Sequence, residues 1–303
     1  MREGRPASFY WLAALFVLFV LFLYGPMITI VLLSFQGPDG GLTFPMHGVS
    51  THWFNKLWSD GLPNVDIWSA FARSAWLGLL VMVLTVLLSL LAGLAYRKRF
   101  VGSDALFFVV IASLIMPSIV VSLGIGLEFR IIDDSVKRFA PAGLADAYDT
   151  AMGLFTSALG AHLTWTLPFG LLIMFAIFNR FDPRYEEAAR DLGASPWQAL
   201  RHVVLPIIGP SVIGIGLFGF TLSWDEIART SQAVGYLNTL PLELQGQTTT
   251  VTTPVIYALG TLTTAVSLCV IAVALAAIPL LRRRQGRTAA AAPKTVLQGV
   301  RLS

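Results

Sequence analysis

Three carboxylates, Glu128, Asp225 and Glu226, stand at the ends of long apolar runs. If such ends came together they would favour a cationic solute, because attraction in a partly desolvated mouth exceeds that in bulk water. The other residues with chemical potential are sparse. His162 is the one imidazole inside an apolar run, and no acid lies in any run. It reads as a buried, hydrogen-bonded residue and not as a proton relay. Cys269 is the single cysteine, so there is neither a disulfide framework nor a thiolate cluster. Gly214-x-Gly216-x-x-Gly219 spells a dinucleotide fingerprint, but it sits inside an apolar run with no strand before it and reads as helix packing. None of the lysines, Lys56, Lys98, Lys137 and Lys294, follows a glycine, so the phosphate-cradling Gly-Lys-Ser/Thr loop is missing. Neither His-Glu-x-x-His nor Gly-x-Ser-x-Gly occurs. The chain is therefore not expected to be an enzyme or to bind a cofactor or metal.

The elements that carry these residues follow from the apolar runs. Apolar types make up 55% of the residues and charged types 13%, against roughly 25% charged in a soluble domain. Six runs, Phe9–Phe35, Trp76–Tyr96, Ala105–Leu127, Leu154–Phe178, Leu205–Trp224 and Val255–Leu281, contain no Lys, Arg, Asp or Glu. A helix needs roughly 20 apolar residues to cross the bilayer. Irregular backbone is not tolerated against lipid, and barrel strands alternate over about ten residues. The fold class is thus an all-α membrane protein with six transmembrane helices. The first run exceeds the roughly 7–15 residues of a signal core and counts as a span. Residues 1–8 form an N-terminal segment, 9–281 the membrane domain, and 282–303 a tail expected to be disordered. One side of this arrangement holds fifteen Lys and Arg, and the other holds Lys56, Arg73, Arg130, Lys137, Arg138 and Arg229. The positive-inside rule puts the richer side, with both termini, in the cytoplasm. The basic residues show no stripe with interleaved aromatics, so no nucleic acid is expected as a partner.

The outer loops are 36–75, 130–152 and 225–254. In the first, His52–Trp58 and Asp66–Arg73 are expected to be short interfacial helices carrying Trp53, Trp58 and Trp68. Pro26, Pro117, Pro168, Pro210 and Pro279, with several glycines, fall inside the spans. They fit close helix packing, or bending around a moving pathway. The inner loop 179–204 has the strongest local signals. Asp182 is a helix N-cap, Pro183 suits the first turn, and Glu186 and Glu187 sit near the positive helix end. Gly193 fits the left-handed position that ends this helix. A second start follows at once, with Ser195 as N-cap, Pro196 as first residue and Gln198 completing a capping box. The expected product is two short helices joined by a sharp bend that leads into the fifth span.

Glu187-Ala188-Ala189, then Gly193, then Val203-x-Leu205-Pro206 resembles the "EAA" loop of binding-protein-dependent ABC importer permeases of type I. Val203 stands where the family usually has Ile. Phe220-Thr221-Leu222-Ser223-Trp224-Asp225-Glu226 and Asn238-Thr239-Leu240-Pro241 are similar to the spermidine/putrescine permease group. The resemblance covers roughly spans 2 to 6. It implies a MetI-like fold in a bacterial inner membrane. It also implies coupling to an ATPase through Glu187, Ala188, Ala189, Gly193, Leu205 and Pro206, and a solute pathway near Trp224, Asp225, Glu226 and Glu128. The implied partners are two ATPase subunits that use ATP and Mg, a second permease expected to be a different chain, and a periplasmic or lipid-anchored solute-binding protein. A polyamine is the implied solute. The alternatives are another organic solute, such as an opine, amino-acid derivative or phosphonate, or a secondary transporter.

Overall fold

The computed structural model describes residues 6–62, 66–98, 100–250 and 253–290. Among them no strand forms beyond one isolated antiparallel bridge between Gln36 and Val49. Twelve α-helices follow in chain order: α1 Ala7–Ser34, α2 His52–Ser59, α3 Ile67–Ala95, α4 Ser103–Ile115, α5 Ser118–Phe139, α6 Ala142–Ala147, α7 Leu159–Phe178, α8 Arg184–Asp191, α9 Pro196–Ala199, α10 Leu205–Trp224, α11 Leu240–Thr250 and α12 Pro254–Ala290. Short π-helical stretches, Leu154–Ala158 and Leu200–Val204, lead into α7 and α10. Among the described residues, five helical segments are long and apolar enough to cross a membrane, or six if the bent pair α4–α5 counts as one span. The protein is an all-helical membrane protein.

The helices differ from the expected spans at three places. The third run, expected as one span, is broken between α4 and α5 by a bend of 111°. Pro117 has no N–H and disfavours helical backbone in the residue before it, and Met116 is extended at ψ 134°. The 13 residues of α4 rise about 20 Å, short of the roughly 30 Å of hydrocarbon. Second, Asp66–Arg73 is no separate interfacial helix. From Ile67 it forms the first turns of α3, because Ser74 and Ala75 offer nothing to stop a helix before Trp76. Third, the tail expected to be disordered is helical through Ala290; its remainder lies outside the described residues.

The chain divides into two compact units, one running through Trp68 with Glu243–Leu268 added, the other comprising Ser69–Leu242 and the chain from Cys269. In the first, the buried Gln36 staples the loop after α1. Its amide donates to the carbonyls of Gly41 and Thr43, and its Oε1 accepts the His47 N–H. Phe35 packs on Phe54 of α2 at 5.1 Å. Most of α1 is exposed and apolar, as in a helix that faces lipid or another chain.

The second unit holds the core. Met174 of α7, Val204 of the π stretch, and Ile208 and Ile215 of α10 pack together, with Val86 and Leu90 of α3 against them. A second cluster joins Leu77 and Val81 of α3 to Leu154, Ala158 and Val234. Lipid is as apolar as leucine, so helices associate through close approach and hydrogen bonds. Thr85 and Thr166 meet in a buried bond of 2.7 Å. Gly216 and Gly219, from the apparent dinucleotide fingerprint, face Met82, Thr85 and Val86 of α3 and serve as packing surface. Gly170 is tighter still: a Cβ there would collide with Ser89 Oγ and lie 3.2 Å from Ile215 Cγ2. Gly160, on the same helix, has open space. Gly170→Ala should therefore destabilise the purified protein by about 1–3 kcal/mol, read as a lower melting temperature in detergent, whereas Gly160→Ala should not. Equal melting temperatures would refute this packing.

Candidate functional site

The inner loop folds into the bent element that its caps dictate. Asp182 Oδ1 accepts the Arg184 N–H at 3.0 Å. The helix proper begins at Arg184, within the residue or two by which helix ends vary. At its other end Ala194 N–H bonds to Ala189 O and Gly193 N–H to Arg190 O, the Schellman pattern. Gly193 sits at φ +86°. A side chain in this left-handed region costs roughly 1 kcal/mol or more. The capping box is complete: Gln198 N–H reaches Ser195 Oγ and Ser195 N–H reaches Gln198 Oε1 at 2.7 Å. Pro206 cannot donate to His202 O, and Leu205 N–H instead bonds one residue further back, to Leu200 O. The helical path from Pro196 through this π stretch to Trp224 is 29 residues long.

The expected coupling residues divide between two environments. Glu187, Ala188 and Gly193 are exposed, and Ala189 is half-buried. Leu192 and Trp197 beside them are 91% and 64% exposed. Leu205 and Pro206 lie farther along the chain, where Leu205 packs against the core of α7 and α10. The first group forms a protruding surface and the second roots it in the fifth span.

The expected pathway residues differ in burial. Trp224, Asp225 and Glu226 close α10, but Trp224 is buried, stacked on Phe220 at 5.6 Å and edge-on to Phe71 at 5.4 Å. Asp225 is exposed. Glu226 turns inward and accepts the Arg229 N–H at 2.8 Å. Glu128 is exposed partway along α5. The stretch Asn238–Leu240 is tied to α3 by Arg73 Nε on Asn238 O and by the Leu240 N–H on Ser74 Oγ.

A buried polar network below this mouth has no counterpart among the expected site residues. Arg229, counted by sequence as an outer-loop charge, is 0% exposed. It donates to Thr164 Oγ1 at 2.7 Å and to Ser113 O at 3.3 Å, and lies 4.9 Å from the centre of the Trp165 ring. Prolines explain the arrangement. The helical partner of Ser113 O would be the N–H of residue 117, and that of Thr164 O the N–H of residue 168; both residues are proline. Arg229 supplies the donor for the first carbonyl, and the single Ser113 hydroxyl proton, 2.7 Å from both Thr164 O and Val110 O, is the donor within reach of the second. The loop is fastened further by Ser122 Oγ on Arg229 O and by Gln232 N–H on Ser122 Oγ. His162 belongs here too. It is buried, with Nδ1 2.7 Å from Ser223 Oγ and Nε2 2.8 Å from Thr230 Oγ1, and is a structural histidine. The readable signal was the i+4 spacing from Ser113 to Pro117 and from Thr164 to Pro168, which announces two orphaned carbonyls but not the residue that serves them. Arg229→Leu strands the Ser113 carbonyl at about 1–3 kcal/mol. It should lower the melting temperature in detergent, with Arg229→Lys in between and the exposed Arg130→Leu unchanged. An Arg229→Leu protein as stable as wild type would contradict the network.

Residues 85–285 match the family described as "Binding-protein-dependent transport system inner membrane component". The chain is 30% identical to the spermidine/putrescine transport system permease protein PotC of Haemophilus influenzae, over 86% of this chain and 92% of the relative. It is 28% identical to the putrescine transport system permease protein PotI of Escherichia coli, over 83% and 85%. In fold it is similar to a chain of a bacterial alginate ABC transporter in complex with an alginate pentasaccharide-bound periplasmic protein, with a TM-score of 0.57, 16% identity, and 92% and 94% of the two chains covered. With the family matched over about two thirds of its length and a relative aligned over most of it, the chain belongs to the binding-protein-dependent transport system inner membrane components.

Proposed function

We propose that this chain is one of two different permease subunits of an ATP-driven importer of polyamines, and that both its termini face the cytoplasm. The observation that carries the coupling role is the doubly capped bend of α8, Gly193 and α9, exposed on one side and continuous with the fifth span on the other. Two copies of a separate ATPase, using ATP and Mg, grip Glu187, Ala188 and the Gly193 bend, while a periplasmic or lipid-anchored binding protein delivers the solute to the outer loops. Closure of the ATPases pushes the bend, and the permeases rock between outward- and inward-open states. Nucleotide shifts that equilibrium only by as much as it interacts differently with the two states.

Uptake into vesicles holding the complete transporter should require ATP and survive a protonophore. Gly193→Val and Glu187→Lys should each reduce it at least tenfold while leaving membrane insertion intact. Uptake abolished by the protonophore would favour a secondary transporter, and full activity in both variants would remove the coupling role from this loop.

The polyamine assignment is supported by the PotC and PotI relatives, whose names give spermidine and putrescine as solutes. The carboxylates Asp225 and Glu226 at the end of α10 agree with it. Asp225→Asn combined with Glu226→Gln should slow putrescine uptake severalfold with assembly unchanged. Calorimetry on the cognate binding protein is the more direct measurement, and a protein that ignores polyamines but binds an opine, a phosphonate or a sugar would sink the solute assignment and leave the permease assignment standing.

A further inference from the structure

Arg97 follows the inner end of α3, and Glu186 is the third residue of α8. Their side chains meet fork to fork, Nη1 to Oε1 at 2.7 Å and Nη2 to Oε2 at 2.9 Å. The guanidinium carbon also lies 5.1 Å from the ring centre of Phe178, at the end of α7, and 5.5 Å from that of Phe181 in the following turn. Arg190, one turn along α8, approaches the same carboxylate at 3.8 Å. Exposed ion pairs contribute about 0–1 kcal/mol, because long side chains lose freedom and water screens them. This pair departs from that case in three ways. Its geometry is bidentate, aromatic rings hold the guanidinium, and the Glu186 side chain is only 13% exposed. The hydrogen bond from Arg97, helped by the charges of Arg97 and Arg190, holds the Glu186 carboxyl below its ordinary value despite partial burial. A carboxylate lowered in this way keeps its contribution at neutral pH and loses it only as pH falls through the depressed value.

The chain joins α8 to α7 through residues 179–183 and to α10 through the Gly193 bend. No such covalent route leads from α8 to α3. Beside the pair lies a cavity of about 330 Å³, lined by Gly93, Tyr96, Phe175 and Asn179 among others. The ion pair therefore bridges a region that close packing leaves open. We propose that Arg97 is a positioning residue that clasps α8 to the inner end of α3, so that a push on the coupling loop moves α3 together with α10. The inference rests on the coupling role proposed for that loop.

The clasp is testable on the assembled transporter in a Cys269→Ala background, with spin labels at Tyr185 on α8 and Leu91 on α3, both exposed. The distance between them should stay the same in the nucleotide-free and ATP-bound states. In Arg97→Gln and in Glu186→Gln it should shift or broaden on ATP binding, and the double variant should be no worse than either single one. A pair that only adds stability would lower the yield of complex and leave the nucleotide response of this distance unchanged. A distance that already changes in the wild type, or that behaves alike in wild type and Arg97→Gln while the Tyr185 label responds to ATP, overturns the clasp alone. A Tyr185 label whose spectrum ignores ATP altogether overturns the coupling loop and the clasp with it.

Discussion

Inside a bilayer a backbone carbonyl without a donor has no water to turn to, and each one costs several kcal/mol. Pro117 and Pro168 create two such carbonyls, on Ser113 and Thr164. The part of the second unit around α4, α5 and the loop after α10 is arranged around serving them. Arg229 reaches Ser113 O, the Ser113 hydroxyl reaches Thr164 O, and Arg229 also binds the Thr164 hydroxyl. The guanidinium also lies near the C-terminal end of α4, where a helix dipole favours positive charge. These contacts serve Nη1 and Nη2 of a buried cation with no carboxylate in direct contact with its guanidinium, while its Nε is left without a partner. It also fixes the loop after α10, because Ser122, Gln232, Thr230 and His162 all bond into the same knot.

The end of the second unit that carries α8 and α9 is organised by a different rule. There the backbone groups are satisfied locally, by the Schellman turn at Gly193 and the capping box at Ser195, and the element can protrude into water. The two regions are joined by α10. Its π stretch absorbs the missing N–H of Pro206 without ending the helix, so 29 residues run on from Pro196 to Trp224. At 1.5 Å per residue that is a rod of about 43 Å. At its far end Trp224 packs between Phe71 and Phe220.

What the sequence made legible follows this division. Runs without charge are long-range statements about solvent, and the helices were readable from them. The bend was readable because every group that builds it, Asp182, Gly193, Ser195 and Gln198, lies within a few residues of its partner. The break at Pro117 was not readable as a break. Proline inside an apolar run is compatible with a gentle kink, and the donor that stabilises the sharper turn comes from Arg229, 116 residues away. Arg229 itself was hidden by its neighbours, since a basic residue in a polar loop after a span normally faces water. The burial of Trp224 was hidden for the same reason: its place beside Asp225 says nothing about Phe71, which arrives from α3.

The pairing of Pro117 with Arg229 also constrains how this chain can drift. A lineage that lost the arginine first would pass through a form with a stranded carbonyl, and one that lost the proline first would keep a buried cation whose acceptor has found another donor. Neither single step is neutral, so the two positions are bound to a shared history although neither is near the coupling loop. The residues of this knot should therefore change in correlated pairs, and the exposed face of α1, with no such debts between residues, one position at a time.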